Sequence, residues 1–125
     1  MLKPLAFIAV AALAIGTAFA AEPAGPAPMA KNGMFVTAKG MTLYTFDKDT
    51  AGKSVCNGPC ATNWPPALAG DDAKAMGPWT VVARDDGLKQ WAYNGKPVYA
   101  FAKDSKPGDT TGDGFLNGAW HIAKP

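Results

Sequence analysis

The chain has 125 residues, with 12 Lys+Arg, 10 Asp+Glu, one His and two Cys. That length holds one domain or two very small ones, and a net charge of +2 without a Lys/Arg cluster disfavours nucleic acid as a partner. Beyond residue 20, a single His, a single Glu and two Ser leave most acid–base and metal-ligand sets incomplete, and the HExxH, GxxxxGK(S/T) and GxSxG motifs are absent.

Met1 to Ala20 contains 16 apolar residues and one charge, Lys3. Lys3, the apolar run Leu5 to Ile15 and the small-x-small site Ala18-Phe19-Ala20 read as a secretory signal peptide cleaved after Ala20. No later stretch reaches the length of a membrane span, and no Cys follows the cleavage site to carry a lipid. The expected product is therefore periplasmic or secreted, without a membrane span or lipid anchor. Residues 21–33, rich in Pro, Ala and Gly, read as a flexible tether ahead of a single β domain at 34–125.

From Met34 onward, short aromatic or β-branched runs alternate with turn residues, which predicts an all-β fold. Met34 to Ala38 and Met41 to Phe46 flank Lys39-Gly40 as a two-residue hairpin. Trp79 to Arg84, Leu88 to Tyr93 and Lys96 to Phe101 form a meander. Its turns are Asp85-Asp86-Gly87, a three-residue loop ending in a left-handed glycine, and Asn94-Gly95, a type I′ turn. After Ala20 there are one Ile, four Leu and five Val against eleven aromatic residues, so the core rests on aromatic burial.

An internal repeat organises these strands. A shift of 55 residues places Gly40, Tyr44, Phe46, Lys48 and Asp49 on Gly95, Tyr99, Phe101, Lys103 and Asp104. Tyr and Phe, two apart on a strand, share a face, and the Asp beyond it can accept from backbone N–H groups of the next turn. Trp79 to Arg84 is echoed by Trp120 to Lys124, which predicts that the last strand closes beside Phe35 to Ala38. The expected architecture is a small antiparallel sandwich or barrel-like fold. It is built from two pseudo-symmetric repeats of three to four strands, about 34–66 and 79–124, with the C-terminal strand closing on the first.

Cys56 and Cys60 admit three readings: a structural disulfide, a reversible dithiol couple, or two thiolates of a metal site. The disulfide is preferred because one turn of chain brings Cα atoms to bridging distance in an exported protein. Redox pairs favour C-x2-C at a helix start, and a metal would need His121 or a Met as a further ligand. His121 reads first as a surface or hydrogen-bonded residue, and Met29, Met34 and Met41 as packing rather than copper ligands. The loop Pro107 to Gly114 lacks the ligand spacing of a calcium loop, and Asp71-Asp72 and Asp85-Asp86 read as loop carboxylates rather than a glycosidase pair. No local motif joins Ser54 or Ser105 to His121 as a triad.

Tyr44, Phe46, Tyr99 and Phe101 read as a symmetric aromatic core with the tyrosine hydroxyls at its rim. Trp64, Trp91 and Tyr93, with His121, are left as a candidate ligand surface. No catalytic residue, metal or cofactor is expected. The leading reading is a non-enzymatic binding or interaction module for a small molecule or an envelope protein. The alternative is a periplasmic redox or metal/haem-handling protein that uses Cys56, Cys60 and His121.

The residues resemble a bacterial family of exported proteins and lipoproteins described as a secreted repeat of unknown function and marked by Y-x-(F/W/Y)-x-x-D. Both copies match, as Tyr44-x-Phe46-x-x-Asp49 and Tyr99-x-Phe101-x-x-Asp104. The likeness extends to Cys56-x3-Cys60-x3-Trp64-Pro65-Pro66, Asn94-Gly95-Lys96-Pro97, Pro107-Gly108-Asp109 and Trp120-His121, across about residues 33–123. Many members carry a lipid-bearing Cys after the signal, whereas this chain has Ala20-Ala21, so the resemblance implies export and fold rather than anchoring.

Overall fold

The computed structural model describes residues 24–125, and the signal peptide and its cleavage site lie outside them. Among the described residues, the strands are β1 (Met29–Lys31), β2 (Met34–Val36), β3 (Tyr44–Phe46), β4 (Trp79–Ala83), β5 (Lys89–Tyr93), β6 (Lys96–Tyr99) and β7 (Trp120–Ile122). All pairings between these strands are antiparallel. The order β4-β5-β6-β3-β7 makes one sheet, and β1 and β2 make a second. The fold is thus all-β and sandwich-like, with no closed barrel.

Turn chemistry lays out the strands. Asn94 and Gly95 take φ of 51° and 84°, the pair of positive values a type I′ turn requires, and join β5 to β6. Gly87 ends the Asp85-Asp86-Gly87 loop at φ 86°, as its sequence predicts. The Lys39-Gly40 turn is longer than expected: Gly40 N–H donates to Thr37 carbonyl and Thr37 N–H to Met41 carbonyl. Pairing beyond it shrinks to a Val36–Thr42 bridge.

Residues 24–33 are not a tether. Asn32 and Gly33, at φ 54° and 79°, form a second type I′ turn that pairs β1 with β2. Gly25 donates to Leu68 carbonyl and accepts from the Trp91 indole N–H. The segment is held because its backbone groups find partners on the domain.

The two motif strands meet at the middle of the sheet, with Tyr44 opposite Tyr99 across β3 and β6. The C-terminal strand does close on the first repeat, but its neighbour is β3, with Phe46 opposite Trp120. Phe35 contributes one bond to it, from its N–H to Ala123 carbonyl. Beyond that bond the chain turns away from β7, with Thr37 N–H donating to Met41 carbonyl in the turn that follows. The outward groups of β7 are covered as well: Gly114 N–H donates to Trp120 carbonyl and Ile122 N–H to Asp113. This protects a sheet edge that would otherwise be open to another strand.

Strand alternation sends side chains to two cores. Phe35, Leu43, Trp79, Trp91 and Val98 fill one; Tyr44, Cys56, Trp64, Tyr99, Phe101 and Trp120 fill the other. The echo between Trp79 and Trp120 therefore does not reflect equivalent places. Trp64 is the packing counterpart of Trp120: their rings stack at 3.7 Å and 2°.

Candidate functional site

The repeat signature is a set of contacts exchanged between repeats. The Tyr44 hydroxyl donates to Asp104 at 2.7 Å, and the Tyr99 hydroxyl to Asp49 at 2.6 Å, so each tyrosine is bonded to the aspartate of the other copy. Each aspartate also accepts from a backbone N–H in the loop after it, Val55 for Asp49 and Thr111 for Asp104. The phenylalanines cross over in the same way. Phe46 stacks on Trp120 at 4.2 Å, and Phe101 stacks on Trp64 at 4.0 Å. With the Trp64–Trp120 stack between them, the four rings form one column.

Burial first, and then the bonded carboxylate, push both phenols above the ordinary tyrosine range, so they stay protonated and act as donors. The hydroxyls are buried, not at a rim as expected. Gly112 closes the column from the side: a Cβ there would lie 2.7 Å from the Trp64 ring, and its N–H donates to the Tyr44 hydroxyl.

Arg84 joins the second repeat to the cysteine loop. Its buried guanidinium donates to Asp86 at 3.0 Å, Gln90 at 2.8 Å, Ser54 at 3.1 Å and Cys56 carbonyl at 3.0 Å. Ser54 accepts from Arg84 and from Cys56 N–H, which leaves its own proton for the Tyr99 hydroxyl 2.6 Å away. Cys56 and Cys60 form a disulfide across the start of α1 (Pro59–Asn63), with Cys56 fully buried in the aromatic core.

The four residues expected to form a ligand surface divide. Trp64 and Trp91 are only 4% and 3% exposed and serve the two cores. A side chain as large as Trp is committed wherever the tertiary fold encloses it, and strand pattern alone does not say where that is. Tyr93 and His121 do come together, in a groove of about 550 Å³ with Thr45, Asp47, Asn94, Lys96 and Lys124. His121 Nε2 donates to Asp47 at 2.8 Å, and the Tyr93 ring rests against Phe35 and Trp79. Alternation puts His121 on the sheet face opposite Trp120, away from Cys56, so it does not join the cysteines.

The sequence matches the model of the secreted repeat of unknown function twice, over residues 29–68 and 80–124. The chain belongs to this family. No curated protein and no solved structure matches it. The first match of the secreted repeat begins at Met29, where β1 begins, so the β1–β2 hairpin is part of the repeat. Among the described residues, no helix is long and apolar enough to cross a membrane.

Two expected results follow for the secreted repeat. Cys56→Ser lowers the unfolding free energy by about 2 kcal/mol without abolishing the fold, because so short a loop constrains the unfolded chain little; urea midpoints of the two proteins measure it. Asp49 has a pKa raised above its usual 3.8, chiefly by burial, against the lowering effect of the Tyr99 and Val55 bonds and the Arg84 charge. In the window above pH 3.8 the native state then holds this proton more tightly than the unfolded chain, so its contribution to stability falls as pH rises through that window. The stability of the native protein relative to Asp49→Asn should accordingly decline from pH 3 to 7 in urea titrations, roughly spanning the carboxylate range; a difference that grows with pH contradicts the assignment.

Proposed function

We propose that the protein is an exported, non-catalytic β-repeat module that acts in the periplasm or outside the cell, and that it binds a small molecule or envelope partner through the groove between β3, β7 and the Asn94-Gly95 turn. The observation that carries this reading is the division of labour among its polar and aromatic groups. Tyr44, Tyr99, Asp49 and Asp104 are all committed to bonds within the fold, and both cysteines to one bridge. The groove instead gathers Tyr93, Asn94, His121, Lys96 and Lys124 on a rigid sheet, and its volume of about 550 Å³ lies within the usual range for small-molecule sites.

Amide spectra of the labelled protein, titrated with a mixed library of neutral, acidic and basic small molecules, test the groove. Saturable shifts gathered at Thr45, Tyr93, Asn94 and His121 support it, and shifts confined to other surfaces contradict it. Alkylation followed by mass measurement addresses the redox alternative. A bridge that survives mild reduction supports a structural role; a readily reduced pair replaces the module with a redox protein.

A further inference from the structure

We infer that the groove takes an anionic, sugar-sized ligand, one that carries a carboxylate or phosphate on a polar ring; this rests on the reading of the groove as the binding site. Four observations point to that chemistry. The first is extent. The groove of about 550 Å³ shares Thr45, Asp47, Asn94 and Lys96 with a second hollow of about 210 Å³ that continues past Phe46 to Asp49. The larger hollow is lined mainly by polar groups, and its continuation past Phe46 is mixed.

The second is a fixed aromatic wall. Tyr93 is held from behind by Phe35 at 4.5 Å and Trp79 at 5.1 Å, so its ring loses little freedom when a sugar face packs on it. The third is a set of pre-placed polar groups. Asp47 accepts from His121 Nε2–H, which leaves Nδ1 to accept from a ligand hydroxyl, with the Asn94 amide and Thr45 hydroxyl in the same lining. The fourth is charge. Lys96 and Lys124 have no carboxylate partner among the described residues, while the groove's acid, Asp47, already serves His121. Two ammonium groups in the lining of one groove favour an oxyanion beside them, and Asp49, which lines only the second hollow, disfavours one there.

The test uses one ring with different charges. The purified protein is titrated with D-glucuronate, D-glucose 6-phosphate, D-glucose and inorganic phosphate, and amide shifts are followed at low salt. Saturable shifts at Thr45, Tyr93, Asn94 and His121 are expected with glucuronate or glucose 6-phosphate, and whichever binds tighter names the source of the anion. Glucose and inorganic phosphate should each bind at least about tenfold more weakly, since each lacks one half of the recognition. The Lys96→Gln/Lys124→Gln double variant, altered only at exposed positions, should lose about tenfold or more in affinity for the charged sugar. Glucose binding as tightly as glucuronate at the same amides overturns the anion and leaves the groove in place. Charged sugars that shift none of these amides, or unchanged affinity in the double variant, overturn the proposal; library ligands of other chemistry that still gather at the groove then preserve the binding-module reading.

Discussion

Trp120→Ala is expected to lower the unfolding free energy by about 4 kcal/mol, within the usual range for truncating a buried tryptophan. Trp120 is 1% exposed and occupies an inner place in the four-ring column, between Phe46 and Trp64, with Tyr99 edge-on at 5.2 Å. Its removal opens a cavity that rings held by separate backbone segments cannot collapse to fill. It also loosens β7, which secures β3 from its outer side. A domain of this size has a total stability of roughly 5–15 kcal/mol, so the variant should sit near its unfolding threshold. The control lies one residue away. His121→Ala, on the same strand but exposed, should change stability by no more than about 0.5 kcal/mol. Urea unfolding followed by tryptophan fluorescence and far-ultraviolet circular dichroism separates the two.

Asp104→Ala is the second large effect, at about 3 kcal/mol. The carboxylate is 5% exposed and accepts from the Tyr44 hydroxyl, Thr111 N–H and the Thr111 hydroxyl. Truncation strands the buried Tyr44 phenol, which water does not readily reach, and an unmet buried group carries a larger penalty than the net gain of an ordinary hydrogen bond. Asp49→Ala should be milder, about 1–2 kcal/mol, because Asp49 is only half-buried and water can reach the groups it leaves. The ordering of these two variants is therefore as informative as either magnitude, since the sequence motif alone treats the two aspartates as equivalent.

Local chemistry was legible and long-range partnership was not. Asn94-Gly95 and Asp85-Asp86-Gly87 announce their turns because the required positive φ is a property of those residues themselves. Asn32-Gly33 carries the same signal; the Pro- and Ala-rich residues before it suggested a tether, and only the domain's backbone partners for Gly25 and β1 explain why it folds. Repeat symmetry correctly brings Tyr44, Phe46, Tyr99 and Phe101 to a shared core. It cannot say that each tyrosine reaches the other copy's aspartate, since a within-repeat pairing would leave the same pattern in the sequence.

Arg84 was missed for a similar reason. Its partners Ser54, Cys56, Asp86 and Gln90 come from separate stretches of chain, and a lone arginine before a turn ordinarily faces solvent. Trp64 lies outside every strand the sequence predicts, and Trp91 lies on a strand with two faces, so which of its faces is covered is decided by distant segments of chain. Of the residues that line the groove, the sequence singles out Tyr93 and His121. Lys96, Lys124 and Asp47 join them only because β3, β6 and β7 are neighbours in the sheet.

The repeat signature locks each copy to the other. A double-mutant cycle on Tyr44→Phe and Asp104→Asn, set beside a second on Tyr44→Phe and Asp49→Asn, measures it most directly. The expected coupling energy is about 1–2 kcal/mol for Tyr44 with Asp104, and no more than about 0.5 kcal/mol for Tyr44 with Asp49. Coupling confined to the pair within one repeat, with none across the two, would contradict it.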